Sequence, residues 1–331
     1  MDMKNTVKVV VIGAGGFSRA KHLPSLSRIE GVALAGLCDL NEERLREAGD
    51  LFHVPAKNRF TDYRLMLETT RPDAVYAIMP PHHVFELSME IMERGHALFI
   101  EKPPGVSTVQ TENMARMAAN KKLVTAVAFQ RRYHPLVRAC WDKVKAKDPL
   151  HRLRVSYHKW LPPSDVHPYY RGVIDILRCD AIHAVDAARF YAGLSEVKEV
   201  RSVVRKVGTL YENCFQALVL FENGITAGID ADWASGRRFF KFEFHAPGAC
   251  AYVDIDGQGA VWEENKEVPV FESTFDTVVN SEEIIDQGGF LAENQAFIDA
   301  VRTGRPPHNC LEDAVKTMQL IDTIYRKAKE Q

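Results

Sequence analysis

A β-branched run, Val7 to Ile12 (VKVVVI), passes directly into Gly13-Ala14-Gly15-Gly16, and no other stretch constrains the fold as tightly. Such a run, bounded by glycine, reads as a strand buried on both faces, the habit of a parallel sheet. A helix is expected to start near Gly16 and run past Lys21, with Pro24 marking a break. The alternation then repeats. VALAGLCD (32–39), Ala74 to Ile78, ALFI ahead of Glu101, and Leu123 to Phe129 read as strands. Helical spacing fills the stretches between them, with Asn41 placed as an N-cap and Gly95 as a stop. Strand–helix alternation implies right-handed crossovers and a doubly wound parallel sheet.

The loop Gly13-Ala14-Gly15-Gly16-Phe17-Ser18 lies between the first strand and its helix. There the first glycine permits a tight turn and the second lets a pyrophosphate approach the backbone. The helix N-terminus adds N–H donors. Ser18 stands at the third fingerprint position, small enough for close packing. Asp39 ends the second strand, 26 residues after Gly13. A carboxylate there accepts hydrogen bonds from an adenosine ribose and repels a 2′-phosphate, so NAD is expected over NADP. Arg44 is near enough to leave NADP open.

Ligands of open α/β sheets bind outside the carboxyl ends of the strands. Pro80-Pro81-His82-His83 and Glu101-Lys102 both occupy such ends. The charges stop the apolar run at Ile100 because the chain there leaves the core for the cofactor cleft. Lys102-Pro103 is a candidate cis peptide, which would fix where the ammonium points.

After about residue 130 the pattern changes. Residues 172–193 read as a helix, and period-2 runs follow, among them CFQALVLF and ITAGIDADW, with Asn223-Gly224 as a hairpin turn. The expected architecture is therefore α/β plus α+β. A Rossmann domain (1–130) precedes a mostly antiparallel open-sheet domain (131–331), with closing helices near 289–303 and 311–329. Within RCDAIHAVDAARFYAG, helical spacing would place His183 on the same side as Asp180 and Asp186. A carboxylate neighbour holds an imidazole's tautomer and stabilises its cation, as a general base needs. A core histidine bonded to a structural aspartate is the plainer alternative.

The net charge of −2 leaves no electrostatic footprint for nucleic acid or an anionic membrane. Six cysteines without a CxxC pair argue against a zinc site and a disulfide framework, and no metal is expected. The short apolar run at the N-terminus lacks a signal-peptide layout, so a cytoplasmic protein is expected.

The chain resembles the Gfo/Idh/MocA family, the glucose–fructose oxidoreductase and inositol dehydrogenase type. The resemblance rests on VIGAGGFSRAKHLP, DAVYAIMPP, ERGHALFIEKPPGVST, AFQRRYHP, IHAVDAARFYAG and the closing FIDAVRTGRPP. EKP is the most specific of these. The resemblance implies that Lys102 touches both the nicotinamide end of the cofactor and the substrate. It implies a substrate domain whose open sheet face makes a homodimer or homotetramer. The family's aspartate stands four residues before its histidine. Here Cys179 occupies that place and Asp180 is one residue nearer His183, a rotation of about 100° on a helix. Val84 likewise stands where the family often has histidine.

The expected cofactor contacts are Gly13, Gly15, Gly16, Phe17, Ser18, Asp39, Pro80, Pro81, His83, Glu101 and Lys102. The expected catalytic set is Lys102, His183 and Asp180, with Arg131 and Tyr170 beside Lys102 and His183 at the substrate. Arg132 and Tyr133 are read as braces, and the loops 161–171 and 234–238 as carriers of specificity. The leading activity is NAD-dependent oxidation of a secondary hydroxyl on a sugar, inositol or sugar derivative. A redox-neutral lyase or glycosidase using transient oxidation, and a non-catalytic NAD-binding regulator, are the alternatives.

Overall fold

In the computed structural model, which describes residues 6–163 and 166–330, β1 (Val7–Ile12) sends only Lys8 to solvent. The glycine loop after it feeds a wide turn, Ser18–His22, in which the Leu23 N–H donates to the Ser18 carbonyl five residues back. Pro24 accounts for the widening. It has no N–H for the carbonyl four residues earlier, and its ring crowds that carbonyl, so the turn opens before α1 (Leu23–Arg28).

The alternation continues through β2 (Val32–Cys38), α2 (Glu42–Leu51), β3 (Arg59–Phe60), α3 (Tyr63–Thr70) and β4 (Ala74–Ala77). It closes with α4 (Pro81–Glu93), β5 (Ala97–Ile100), α5 (Thr108–Lys121) and β6 (Thr125–Val127). Asn41 caps α2 by accepting the Arg44 N–H at 2.9 Å. The six strands form one parallel sheet in the order β3-β2-β1-β4-β5-β6, the doubly wound order of dinucleotide-binding domains. The short edge strand β3 escapes a sequence reading because two residues carry no period.

The rest of the chain runs through α6 (Pro135–Lys147), β7 (Arg152–Trp160), α7 (Ile176–Cys179) and α8 (Ile182–Tyr191). It continues as β8 (Val197–Arg205), β9 (Cys214–Phe221), β10 (Thr226–Asp232), β11 (Ala234–Ala246) and β12 (Ala249–Asp254). Then come β13 (Gln258–Glu263), β14 (Phe271–Thr274), α9 (Ile284–Gln287), α10 (Phe290–Thr303) and α11 (Leu311–Lys329). Eight strands pair in the order β14-β13-β12-β11-β7-β10-β9-β8, antiparallel except for β7 beside β10. The turn at Asn223-Gly224 joins β9 to β10, with Gly224 at φ +86°.

Two compact units result, 1–128 with 290–315, and 129–289 with 316–331. The first takes back a segment from late in the chain: Phe297 and Ile298 of α10 are fully buried with Val9, Val11, Tyr76 and Phe99. Burial of each such side chain contributes about 1.5–3 kcal/mol.

The helix expected over 172–193 is two helices. Asp180 and Ala181 both donate their N–H to the Ile176 carbonyl, and Asp180 sits at φ −117°. Regular helix resumes only at Ile182. Asp180 therefore lies outside α8, and helical spacing does not relate it to His183. Asp186, inside α8, accepts two bonds from Arg132, at 2.8 and 2.5 Å, and one from the Thr317 hydroxyl at 3.0 Å. This buried pair satisfies its charges and ties α8 to the preceding segment and to α11.

His134, 2% exposed at the start of α6, has its pKa pushed down to about 3 by burial and then by the Arg131 charge. The unfolded chain takes up that proton near the ordinary 6.5. The contribution of neutral His134 is thus complete above pH 6.5 and is lost as pH falls toward 3. Unfolding free energies from denaturant titrations across that window should fall in the wild type by at most about 1.4 kcal/mol per pH unit from this group. His134→Leu should flatten that part of the slope, and an unchanged slope would contradict the assignment.

Candidate active site

The first unit brings its expected cofactor contacts to one edge of the parallel sheet, the carboxyl ends of the adjacent strands β2, β1, β4 and β5. Gly13 has φ +99°, and a Cβ there would stand 2.2 Å from the Ile78 carbonyl oxygen. Only glycine lets β1 turn this close to the end of β4. A Cβ on Gly15 or Gly16 would meet nothing within 4 Å, so these two keep open space beside the backbone. Such a cradle fits a pyrophosphate. Phe17 is 44% exposed and packs edge-on to Phe290. Ser18 is fully buried, which places it in the helix packing and not at the loop surface.

Asp39 accepts the Ala14 N–H through Oδ2 and the Asn41 N–H through Oδ1, both at 2.8 Å. The carboxylate thus holds the glycine loop against the end of β2, and each oxygen retains a lone pair for a ribose hydroxyl. Pro80 and Pro81 start α4, with Pro81 at the first helical position where its missing N–H costs nothing. His83 is exposed there, with its ring 4.1 Å from that of His82. Lys102 is half-buried, and the Lys102-Pro103 bond is cis.

Glu101 turns inward. Its Oε1 lies 2.8 Å from Nε2 of His22, which is fully buried, and its Oε2 accepts the Lys102 N–H at 3.2 Å. His22 Nδ1 lies 3.3 Å from the Asn294 amide, whose Nδ2 donates to the Phe290 carbonyl. His22 and Asn294 were not expected from the sequence. The one signal was the histidine within AKHLP, which carries no period or spacing of its own.

The second unit holds a separate polar cluster. His183 is buried in the first turn of α8. Asp180 accepts from the Tyr169 hydroxyl at 2.9 Å, from the Tyr157 hydroxyl at 3.4 Å, and from the Lys159 ammonium. Trp233 Nε1 donates to the Tyr169 hydroxyl at 2.9 Å. Burial and then the Asp180 charge drive the Tyr169 pKa well above its ordinary value. For Lys159, burial alone would lower the pKa, but Asp180 and Tyr157 together outweigh it and the net shift is upward. Both residues therefore stay protonated donors at neutral pH. Tyr169 meets Asp180 through its hydroxyl. Tyr170 is 42% exposed at φ +50°. The Arg131 guanidinium lies over the Phe240 ring at 5.3 Å. Lys159 was not expected, because on β7 it reads as an ordinary alternate surface position. Of the specificity loop expected at 161–171, Ser164 and Asp165 lie outside the described residues.

The family model for Gfo/Idh/MocA proteins, an oxidoreductase family with an NAD-binding Rossmann fold, matches residues 7–129. That match covers the N-terminal Rossmann part of the chain, which resembles the Gfo/Idh/MocA family. Residues 7–129 thus form an NAD-binding Rossmann domain of the type found in that oxidoreductase family. The chain is 25% identical to D-apiose dehydrogenase of Paraburkholderia graminis, covering 98% of this chain and 88% of the relative. It is 24% identical to myo-inositol 2-dehydrogenase of Thermotoga maritima, covering 98% and 97%. The fold is shared with a dehydrogenase from Chromobacterium violaceum, with a TM-score of 0.85 and 19% identity over 97% of this chain and 95% of that one. Among the described residues no helix is long and apolar enough to cross a membrane.

Replacing Asp39 with asparagine removes the charge and keeps an oxygen for the Ala14 N–H. In dinucleotide titrations, Asp39→Asn should shift the NADP-to-NAD affinity ratio toward NADP by about tenfold or more. An unchanged ratio would remove Asp39 from nucleotide discrimination.

Proposed function

We propose that this protein oxidises a secondary hydroxyl of a sugar, inositol or sugar derivative at the expense of NAD. The observation that carries the reading is the open glycine cradle at Gly15-Gly16, on the same sheet edge as Asp39 and the Glu101-Lys102 pair. Bound NAD supplies the hydride acceptor, and that chemistry is the cofactor's own. Lys102 donates to the reacting oxygen and stabilises the negative charge that grows there. His183 takes the hydroxyl proton, a task suited to an imidazole at neutral pH. Asp180, held by Tyr169 and Lys159, is the acidic member of the set. Arg131 and Tyr170 are assigned to the polyol hydroxyls.

Net oxidation is favoured over the redox-neutral alternative because D-apiose dehydrogenase and myo-inositol 2-dehydrogenase, relatives aligned along most of their length, carry dehydrogenase names. The same relatives argue against a purely regulatory protein. The six cysteines are free thiols, which suits a reducing cytoplasm. The eight-stranded sheet leaves one face open, with Leu218 54% and Tyr252 49% exposed, and we assign that face to a homodimer or homotetramer.

A panel of sugars and polyols, including D-apiose and myo-inositol, assayed with NAD should show steady NADH accumulation with at least one compound. Lys102→Ala and His183→Ala should each lower kcat on it by about 10²–10⁴-fold. Turnover without NADH release would favour the redox-neutral reading. Wild-type rates in either variant would remove that residue from the mechanism.

A further inference from the structure

Glu101 and His22 together form a buried join that the oxidation chemistry does not use. Glu101 directly precedes Lys102, and its carboxylate accepts the Lys102 backbone N–H at 3.2 Å. Its other oxygen is 2.8 Å from His22 Nε2. An ionised carboxylate only accepts, so the proton between them sits on Nε2. The opposite ring nitrogen is 3.3 Å from the side chain of Asn294 on α10, which is itself anchored to the Phe290 carbonyl. His22 and Asn294 are both fully buried. Aromatic rings close around the imidazole, with Phe99 at 5.2 Å, Phe17 at 5.7 Å and Tyr76 at 5.9 Å between ring centres.

His22 is also the last residue of the wide turn that follows the glycine loop. One side chain therefore fastens together three pieces of the first unit: the turn behind the glycine loop, the Glu101-Lys102 loop, and α10. With His22 fully buried and Glu101 nearly so, the hydrogen bond between them is strengthened by the low local dielectric and its loss is costly.

We propose that His22 is a positioning residue for Lys102, acting through Glu101, and that it couples the glycine-loop turn to the loop bearing the lysine. This rests on the reading of Lys102 as a residue that faces the cofactor. Loss of the imidazole frees Glu101 to follow solvent, and the Lys102 backbone moves with it. Glutamine at position 22 keeps an N–H donor for Glu101 and should preserve the function.

The test uses NADH itself as probe, with the full-length protein. His22→Leu should weaken NADH binding by about tenfold in a fluorescence titration, the size of one hydrogen-bonded coupling. It should also speed amide exchange in the peptide spanning 99–107, while His22→Gln stays near wild type in both. In a Lys102→Ala background, His22→Leu should add little further loss, because the two act in series. Full additivity, or unchanged exchange at 99–107, would overturn the proposal, as would a His22→Gln protein as impaired as His22→Leu. If Lys102→Ala alone leaves NADH affinity unchanged, the cofactor-facing reading of Lys102 falls, and the exchange result still decides whether His22 holds the loop. Should His22→Leu not fold, Glu101→Gln, which weakens the same bond without a change in size, should move both readouts in the same direction.

Discussion

Everything at the cofactor edge depends on one contact that only the absence of a side chain permits. At Gly13 the chain leaving β1 passes so close to the Ile78 carbonyl that a Cβ would lie 2.2 Å from it. Around that approach the strand ends lock together: the Gly13 N–H donates to the Cys38 carbonyl at 2.8 Å and the Ile78 N–H to the Ile12 carbonyl at 2.9 Å. With β1 held this tightly between β2 and β4, the next residues are free to face outward. Ala14 meets the Asp39 carboxylate, and Gly15 and Gly16 keep the open space a pyrophosphate needs. A side chain at 13 would push the loop off the sheet and carry both features with it.

Several buried charged groups in each unit are joined to a partner, as desolvation favours. Glu101 faces His22, Asp186 faces Arg132, and Asp180 gathers Tyr169 and Lys159. Each join links segments distant in sequence, by 79 residues for Glu101 and His22 and by 54 for Arg132 and Asp186. Removal of one partner would leave the other charged or donating group unmet in a dry interior, at a cost of about 3–5 kcal/mol for a buried ion pair. These joins fix where functional loops begin and end. They are local to their own units and give each a rigid frame.

Much of the first unit was legible because its signals are local. Consecutive β-branched residues, the Asn41 cap and the glycine loop each act within a few residues, and the structure has them where the pattern puts them. Position 39 followed from its spacing to the glycine loop, and the Glu101-Lys102 pair from the rule that parallel strands present their carboxyl ends to ligands. The failures had a common cause. The helix expected over 172–193 broke at Asp180, whose carboxylate is drawn to Lys159 and Tyr169, and a periodicity count cannot see those distant partners. The bond from the Tyr169 hydroxyl to Asp180 likewise carries no local pattern.

By itself, then, the sequence determined the alternation of the longer strands and helices in residues 7–129, the place of the glycine turn, and the identities of the lysine, histidine and aspartate offered for chemistry. Those depend on backbone propensity and on residue type, which are properties of short segments. Only the tertiary structure decided that α10 returns to complete the first core, that Glu101 turns inward to a buried histidine, and that Asp186 serves Arg132. Burial and hydrogen-bond satisfaction are set by whatever the folded chain brings alongside, and no local pattern encodes that neighbour.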